Sequence, residues 1–494
     1  MSERKRVRLD DSKMGPEAEK ILKHLTGNVV GQEHALQQVA DALEIAFSDF
    51  REPRRPMGTF FLLGPSGTGK TETAEQLAKY FFNNPDALLK VECESMAQEH
   101  QTAALIGSPP GYVGFQDPED PTGEHPLLTN WNIYKHHFEM LQEKYDGMLS
   151  ERSVFSNRIS EIKKKRLYLM SRHRDLQNSS NELTEQVYEL GEQLGDIFVA
   201  IKQIQEDKTA AAEMFIGLNQ VYREWKKLGD QNLAEAAEAN RILQELIVMQ
   251  GELKELEAKL EKTDKEYYEN GLDWDGSGDV PKNLIGIVLF DELEKAHRNM
   301  HHLLYQIIDK GKLKQSNGVL VNFENCIIIA TGNVASAEIA DVINNKALGF
   351  KMNNPKTKNE LGEDIYELAL EKANEDLPIP LLGRFDSIEV FRPLDTTDMG
   401  KIFELQLNLL KSDIAEKGIK ITIEIDPAVK DYLVQRAMKR MEWGARLLKQ
   451  RVRKYVRLKV VRLLITKQLK SGDTVSVVLE DSKKMVFDSL ETAA

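Results

Sequence analysis

The pattern of apolar and polar residues first divides the chain into strands and helices of one α/β domain. Short, nearly continuous apolar runs occur at residues 60–63, 285–290 and 326–330. Runs of this kind are typical of strands buried on both faces of a parallel sheet. A segment with helical spacing of apolar residues, 72–82, follows the first of these runs. This alternation predicts an α/β fold built on a parallel sheet.

The middle of the chain carries a different pattern. From residue 134 to residue 204, apolar residues recur at alternating spacings of four and three, and a second seam of this kind runs from 218 to 267. Polar residues interrupt the two seams at Arg152, Arg166, His173, Ser180, Asn232 and Glu235. Such heptads predict an antiparallel coiled-coil hairpin with arms of roughly 90 Å. The alternative is a compact helical bundle that folds back at Gly191, Gly195 or Gly229.

These patterns predict the domain organisation. Helical and strand-like segments alternate again at the C-terminal end and predict a separate small α+β domain. The predicted boundaries are a disordered tail (1–15), the first part of the α/β domain (16–130), the coiled-coil insertion (131–283), the second part of the α/β domain (284–394) and the small domain (395–494).

Composition and charge narrow the function classes. No apolar run reaches the roughly 18 residues that span a bilayer, and the basic residues at the N-terminus precede no apolar segment. A cytoplasmic location without membrane association is therefore predicted. The two cysteines, Cys93 and Cys326, offer neither a disulfide framework nor metal-ligand spacing.

The net charge of -13 argues against general nucleic-acid binding as a function. A basic run between residues 449 and 459 favours a solvated helix face over a nucleic-acid site, because no aromatic stacking platform accompanies it. A short basic run at residues 4–8 is read as part of a solvated tail, with a targeting signal as the alternative.

A phosphate-binding loop is the strongest candidate for chemistry. It consists of Gly64, Pro65, Ser66, Gly67, Thr68, Gly69, Lys70 and Thr71, directly between a predicted strand and a predicted helix. In that context, successive backbone N–H groups and the helix N-terminus bind phosphate oxygens, Lys70 reaches the β/γ-phosphates, and the Thr71 hydroxyl holds Mg²⁺. The alternative is a Gly-rich turn with a chance lysine.

Two further strand ends supply polar groups to the same edge of a parallel sheet. The strand 285–290 ends at Asp291 and Glu292, which suit an Mg²⁺-organising carboxylate and a carboxylate that polarises the attacking water. The strand 326–330 leads to Asn333, which could orient the water or the γ-phosphate. Ordinary helix-start acids and a common Gly-Asn turn are the alternatives.

Two arginines and one aromatic residue complete the set of candidates. Tyr112 lies in a loop rich in Gly and Pro and is either exposed or tucked into the core. Arg384 either forms a salt bridge within the chain or faces the nucleotide of a neighbouring subunit. Arg446 opens a helix and could reach back to a bound phosphate.

These residues together resemble the AAA+ module of Clp unfoldases and disaggregases, most closely their C-terminal ATPase module. The resemblance covers roughly residues 17–130 and 284–490 and rests on these motifs: 29–32, 64–71, 107–114, 289–297, Asn333, 383–386 and 444–446. It implies an AAA+ P-loop fold and a ring, usually a hexamer, that hydrolyses Mg²⁺-ATP and threads protein substrates through a central pore. One departure is the coiled coil, which here interrupts the ATPase core between the pore loop and Walker B.

The resemblance also implies a role for each matching position. It implies Lys70 and Thr71 as Walker A, Asp291 and Glu292 as Walker B, Asn333 as sensor 1, Arg384 as the arginine finger acting on a neighbour, Arg446 as sensor 2, Val30 and Gly31 as nucleotide-binding residues, and Tyr112 with Val113 as the pore loop that grips substrate. The apolar tripeptide Leu348, Gly349 and Phe350 stands where peptidase-coupled relatives dock a protease. It either docks such a peptidase or packs locally.

Three functions follow as expectations. The first is an ATP-dependent protein unfoldase or remodelling chaperone. The second is a nucleotide-regulated scaffold that recruits a specific partner through the coiled coil, or the unfoldase component of a Clp-type protease. A nucleic-acid remodeller is the third and is disfavoured by the net charge.

Overall fold

The computed structural model describes residues 13–108, 126–203, 208–333, 358–440, 443–480 and 484–490. Several sequence predictions fall outside these ranges. They are most of the N-terminal tail, the pore-loop residues Tyr112 and Val113, and the tripeptide Leu348, Gly349 and Phe350. The described residues divide into two compact units: Leu141–Asp273, and the remainder before and after it.

The larger unit contains a five-stranded parallel sheet. The strands of the chain are β1 (Gly58–Leu63), β2 (Leu89–Glu92), β3 (Gly286–Asp291), β4 (Lys312–Lys314), β5 (Leu320–Asn322), β6 (Cys326–Gly332), β7 (Ser387–Val390), β8 (Thr422–Ile425), β9 (Thr474–Glu480) and β10 (Lys484–Leu490). The order in the large sheet is β2-β3-β6-β1-β7, and every neighbouring pair is parallel. β1 and β6 are buried along their whole length, as their continuous apolar runs require.

Helices cover the sheet and build the rest of the chain. They are α1 (Pro16–Asn28), α2 (Glu33–Ala46), α3 (Lys70–Phe82), α4 (Ala103–Ile106), α5 (Asn130–Gln203), α6 (Lys208–Glu269), α7 (Arg298–Lys310), α8 (Lys358–Asp376), α9 (Ile379–Leu382), α10 (Thr396–Glu416), α11 (Pro427–Met438), α12 (Ala445–Val452) and α13 (Leu458–Ile465). The apolar faces of α1, α2 and α3 pack with β1, β3 and β6 in one buried core that includes Leu25, Leu36 and Leu77.

The C-terminal helices and strands form a core of their own. β8, β9 and β10 make a three-stranded sheet in which β8 and β9 are parallel and β9 and β10 antiparallel. α10 to α13 pack on it around buried residues such as Phe403, Leu433 and Val475. A five-residue π-helical segment, Arg453–Arg457, separates α12 from α13.

The second unit is an antiparallel pair formed by α5 and α6. α6 alone has 62 residues, which corresponds to about 93 Å of helix. Both helices continue through Gly191, Gly195 and Gly229, so they do not fold back there as a compact bundle would require. The buried seam repeats at heptad spacing and consists of Ile159, Ile162, Leu169, Leu176, Ala239, Ile242, Met249 and Leu253.

Two of the predicted polar interruptions of the seam meet across the pair. The Ser180 hydroxyl donates to Asn232 Oδ1 at 2.6 Å, and the Asn232 amide donates to the Thr184 hydroxyl at 2.9 Å. A hydrogen-bonded polar pair inside an apolar seam favours one register, because any slip leaves these groups unsatisfied.

The predicted fold class is confirmed: a parallel α/β sheet, a C-terminal small domain and a long helical insertion. None of the helices in the described part of the chain combines the length and the apolar character that a membrane span requires.

Candidate active site

The loop between β1 and α3 is shaped by its glycines. Gly64 has φ +130°, and a Cβ there would lie 2.4 Å from the carbonyl oxygen of Phe391. Gly67 has φ +73°, and a Cβ there would lie 2.6 Å from the carbonyl oxygen of Trp443. Neither position can hold a larger residue without strain. The loop leads directly into the first turn of α3, whose free N–H groups and dipole favour an anion.

Lys70 is the buried cation of this loop. Its side chain is only 6% exposed, and Nζ donates to the carbonyl oxygens of Gly64 and Pro65 at 2.7 and 2.8 Å. Burial lowers the pKa of Lys70 to about 8. A third bond, at 3.0 Å, runs from Nζ to the amide oxygen of Asn333. These contacts hold the ammonium at the loop, where an incoming phosphate would meet it.

Asp291 stands at the end of β3, between two hydroxyls and one ammonium. Its Oδ1 accepts from the Thr331 hydroxyl at 2.6 Å and from the Thr71 hydroxyl at 3.4 Å. Its Oδ2 lies 3.1 Å from Lys90 Nζ. Burial raises the pKa of Asp291, but the hydrogen bonds from Thr331 and Lys90 outweigh it and hold that pKa below its usual value. The carboxylate is therefore ionised at neutral pH.

Glu292 is held in a strained and restrained position. It has φ +60°, uncommon for a residue with a side chain. One carboxylate oxygen accepts from the Asn333 amide at 2.6 Å, and the other lies 2.6 Å from Lys295 Nζ. Its backbone N–H donates to the Thr331 hydroxyl at 3.0 Å. Asn333 thus touches both Lys70 and Glu292, so the three strand ends converge.

Sequence reasoning gave no role to four residues of this network. Thr331 bridges Asp291 and Glu292, Lys90 pairs with Asp291, and Lys295 pairs with Glu292. Glu294 accepts from the backbone N–H of Asn333 at 3.0 Å, and burial raises the pKa of Glu294. Thr331 and Lys90 carry no local sequence signal, since their contacts with Asp291 form between strands adjacent in space. Glu294 and Lys295 lie within three residues of Glu292, and proximity to that strand end is their only sequence signal.

The small domain packs directly on the loop. Gly444 has φ +51°, and a Cβ there would lie 2.6 Å from the Gly67 carbonyl oxygen. Ala445 N–H donates to that oxygen at 3.0 Å. Nη1 of Arg446 donates to the Ser66 hydroxyl at 2.8 Å, and Lys449 Nζ lies 2.7 Å from a carboxylate oxygen of Glu72. Arg446 therefore reaches the loop, and Lys449, which the sequence assigned to a solvated helix face, adds a second cation there.

A cleft of about 450 Å³ opens between these groups. The predicted nucleotide-site residues that line this cleft are Val30, Gly67, Thr68, Gly69, Lys70, Thr71, Asp291, Glu292, Asn333 and Arg446. Four other predicted residues do not line it: Gly31, Gly64, Pro65 and Ser66. Val29, Ile402 and Leu409 form an apolar part of the wall. The side chain of Asp398 occupies the space beside Gly31, 2.9 Å from where a Cβ would be.

Arg384 lies away from this cleft. Its Nε is 3.0 and 2.8 Å from the two carboxylate oxygens of Asp309, Nη1 donates to the Pro380 carbonyl, and its guanidinium lies 4.8 Å from the ring centre of Tyr305. It borders a separate surface cleft of about 420 Å³. The structure thus places Arg384 in a salt bridge within the chain, apart from the residues that converge on Lys70.

The residues of the main cleft fit a nucleoside triphosphate with Mg²⁺. The loop supplies a glycine cradle, a helix N-terminus and the cation Lys70, and α12 of the small domain adds the cations Arg446 and Lys449. The hydroxyl of Thr71 and the ionised carboxylate of Asp291 are hard oxygen ligands of the kind that Mg²⁺ prefers beside phosphate oxygens. The described residues hold no cluster of three or more His, Cys, Asp or Glu that could bind a metal by itself.

Comparison with family models identifies two matching regions. Residues 55–120 and 206–388 match the model described as AAA domain (Cdc48 subfamily). Residues 394–477 match the C-terminal, D2-small domain, of ClpB protein.

Curated relatives match nearly the whole chain. Chaperone protein ClpB4, mitochondrial, of Arabidopsis thaliana is 22% identical over 96% of this chain and 32% of its own length. Chaperone protein ClpB of Aquifex aeolicus (strain VF5) is 24% identical over 94% of this chain and 30% of its own length. The ATP-dependent Clp protease ATP-binding subunit ClpA homolog of Guillardia theta is 23% identical over 95% of this chain and 38% of its own length. The chain therefore spans about a third of the length of these relatives.

A solved structure shares the fold. The closed-state reconstruction of Hsp104 with ATPγS and FITC casein has a TM-score of 0.53 and 18% sequence identity to this chain. The match covers 96% of this chain and 52% of that one.

Proposed function

This chain belongs to the Clp family of AAA+ ATPases, and from that membership we propose that it hydrolyses ATP and remodels proteins as an oligomeric ring. The observation that carries the proposal is the position of Asn333, which bonds Lys70 on one side and Glu292 on the other. A phosphate-binding cation and a carboxylate able to activate water thereby share one cleft.

The roles of the residues in hydrolysis follow from their contacts. Lys70, Arg446 and Lys449 attract the phosphates into the cleft, and the loop glycines allow close approach of the backbone. Thr71 and Asp291 would hold Mg²⁺, which would supply neutralisation of phosphate charge when bound. Glu292 orients and deprotonates the attacking water, while Asn333 and Lys295 fix the direction of its carboxylate.

Arg384 has its proposed role at the nucleotide of a neighbouring subunit. It lines no part of its own chain's cleft, and its Nη2 has no hydrogen-bond partner among the described residues, so donors are available to a phosphate of a neighbour. A contact of this kind is head-to-tail and closes into a ring, for which a hexamer is the expected size. Tyr112 and Val113 would grip polypeptide in the pore.

The test of hydrolysis is a pair of glutamate variants. Glu292→Gln should bind ATP with little change and lose roughly 100-fold or more of the ATPase rate. Glu404→Gln is the control, because Glu404 pairs with Lys430 in the small domain outside the cleft. An unchanged ATPase rate in Glu292→Gln would reject Glu292 as the base.

The test of remodelling uses the pore loop. Tyr112→Ala should keep ATP hydrolysis and lose the unfolding of a tagged model substrate, because grip and chemistry reside in separate segments. If this variant unfolds the substrate as fast as the unmodified protein, threading by Tyr112 is rejected.

A scaffold is the second candidate, favoured by the length of α5 and α6. In this alternative, nucleotide controls assembly and the coil recruits a specific partner. Replacement of residues 146–268 by a short Gly linker separates the two: retained unfolding with loss of one partner indicates an adaptor coil on an unfoldase, and absence of unfolding in every variant favours the scaffold. The Clp-type peptidase partner and the cytoplasmic location stay predictions.

A further inference from the structure

Four of the large apolar side chains that are exposed midway along the α5–α6 pair lie on one face. Leu167 and Met170 on α5 are 73% and 47% exposed, and Leu243 and Ile247 on α6 are 42% and 59% exposed. They lie outside the buried heptad seam that joins the helices. We call these four residues the apolar stripe.

The ion pairs between the helices show that the stripe lies on one face. Three pairs at seven-residue intervals mark one side of the seam: Arg158–Glu252, Lys165–Glu245 and Arg172–Glu238. Lys163–Glu257 marks the other side. Leu167 and Met170 follow Lys163 by four and seven residues, and Ile247 and Leu243 precede Glu257 by ten and fourteen. All four therefore share the face of the Lys163–Glu257 pair.

The stripe has the dimensions of a short helix segment. The ion pairs on the two sides of the seam are offset in opposite directions, because Lys165 meets Glu245 whereas Lys163 meets Glu257. The helices are therefore level halfway between these offsets, which places Leu167 beside Val248 and Leu243 beside Arg172. The stripe thus lies between the levels of residues 167 and 172, about 8 Å along the coil, and extends across both helices. With the side chains at either end, that distance corresponds to about two turns of a docked helix.

The charge around the stripe is positive. Arg174 and Lys254 lie on the same face, seven residues beyond Leu167 and Ile247, and Lys164 lies next to Leu167 on the outer surface of α5. None of these three cations has an ion-pair partner within the described ranges. Between residues 160 and 181 of α5 and 236 and 258 of α6, the only carboxylate on this face is Glu257, which Lys163 already neutralises. The opposite side, in contrast, alternates paired acids and bases.

We propose that the apolar stripe is a docking site for an acidic amphipathic helix of a partner protein. Three apolar residues at helical spacing would cover the stripe, and flanking Asp or Glu side chains would meet Lys164, Arg174 and Lys254. A second copy of the chain fits less well, because a symmetric contact would place two basic faces against each other. The proposal rests on the coil alone and stands apart from the proposed ATPase function.

The test uses a fluorescent 16-residue helical peptide with Leu at i, i+3 and i+7 and Glu on both flanks. Its binding to the full chain is measured by fluorescence anisotropy. The double variant Leu167→Ser, Ile247→Ser should bind it roughly tenfold or more weakly. A peptide with Lys in place of Glu should also bind roughly tenfold more weakly. Higher salt should lower the affinity of the acidic peptide for the chain.

The matched control replaces two residues on the opposite side, Tyr168→Ser with Val248→Ser, which are 68% and 69% exposed. This control should change the affinity less than about twofold. Circular dichroism of both variants should show the helicity of the unmodified chain. Absence of saturable binding, equal binding of acidic and basic peptides, or equal loss in both double variants would overturn the proposal. It would also be overturned if the stripe variant changed only self-association in sedimentation.

Discussion

At the scale of single residues, Lys70 gives the site a pH dependence. Burial lowers the pKa of its ammonium to about 8, so the nucleotide-free site loses this charge as the pH rises through that value. Bound phosphate favours the charged form and raises the pKa, which means that binding takes up a proton above pH 8. We expect ATP affinity to fall between about pH 7.5 and 9.5, by at most about tenfold per pH unit.

Equilibrium titration with a fluorescent ATP analogue measures this effect. Lys70→Arg is the matched control, because arginine keeps its charge throughout that range and its weaker binding should not depend on pH. Constant affinity of the unmodified chain across the range would show that Lys70 does not supply the charge.

Asp309 is expected to orient Arg384. It contacts Nε through both carboxylate oxygens, which fixes the plane of the guanidinium and leaves Nη2 for another ligand. Because the pair is partly exposed, Asp309→Asn should lower the ATPase rate only modestly, by roughly threefold, with an unchanged KM. Asp413→Asn, which removes the comparable exposed partner of Arg457, should leave the rate unchanged. A similar decrease in both variants would argue against orientation of Arg384.

The site residues with the clearest signal in the sequence are those that follow strands. Lys70, Asp291 and Asn333 are recognisable because parallel strands end at one edge of a sheet. Thr331 and Lys90 are not, because their contacts with Asp291 depend on β3 lying between β2 and β6. That order is set by packing of the whole sheet and has no local signal in the chain.

At the scale of elements, the helical pair was predictable in type but not in register. Heptad spacing predicts the seam, yet the spacing is equally compatible with pairings shifted by one heptad. The contact between Ser180 and Asn232 and the ion pairs of Arg158, Lys165 and Arg172 select one of them. Each of these contacts joins residues more than 50 positions apart, which a periodicity cannot identify.

Two leucines of α5 test this register. Leu176 is buried in the seam at 5% exposure, whereas Leu167 is 73% exposed on the apolar stripe. Leu176→Ala should destabilise the coil by about 2–5 kcal/mol, because it removes buried apolar contacts and leaves a cavity. Leu167→Ala should change the stability of the coil by about 0.5 kcal/mol or less. Hydrogen exchange of α5 and α6 amides in the full chain measures the difference, and equal effects would contradict the register.

At the scale of the whole molecule, the proposed ring divides each active site between two subunits. One chain supplies Lys70, Asp291 and Glu292, and the next supplies Arg384. This division predicts complementation between two inactive variants. The Glu292→Gln variant retains Arg384 but has a nucleotide cleft that cannot hydrolyse ATP. The Arg384→Ala variant retains an intact nucleotide cleft but lacks the arginine finger. A mixed ring should contain complete sites wherever the first variant donates its finger to the second.

The expected recovery follows from random assembly. In an equimolar mixture, a site has an intact Glu292 in half of the cases and receives an intact Arg384 in half, so about a quarter of the sites are complete. ATPase measurements on the separate and mixed variants, after subunit exchange, test this value. The double variant Glu292→Gln, Arg384→Ala is the control. Its mixture with Glu292→Gln should restore no ATPase activity, because no intact Glu292 is present. Its mixture with Arg384→Ala should also restore none, because no intact Arg384 is present. Failure of the two single variants to complement would mean that Arg384 serves its own chain, through Asp309, rather than a neighbour's nucleotide.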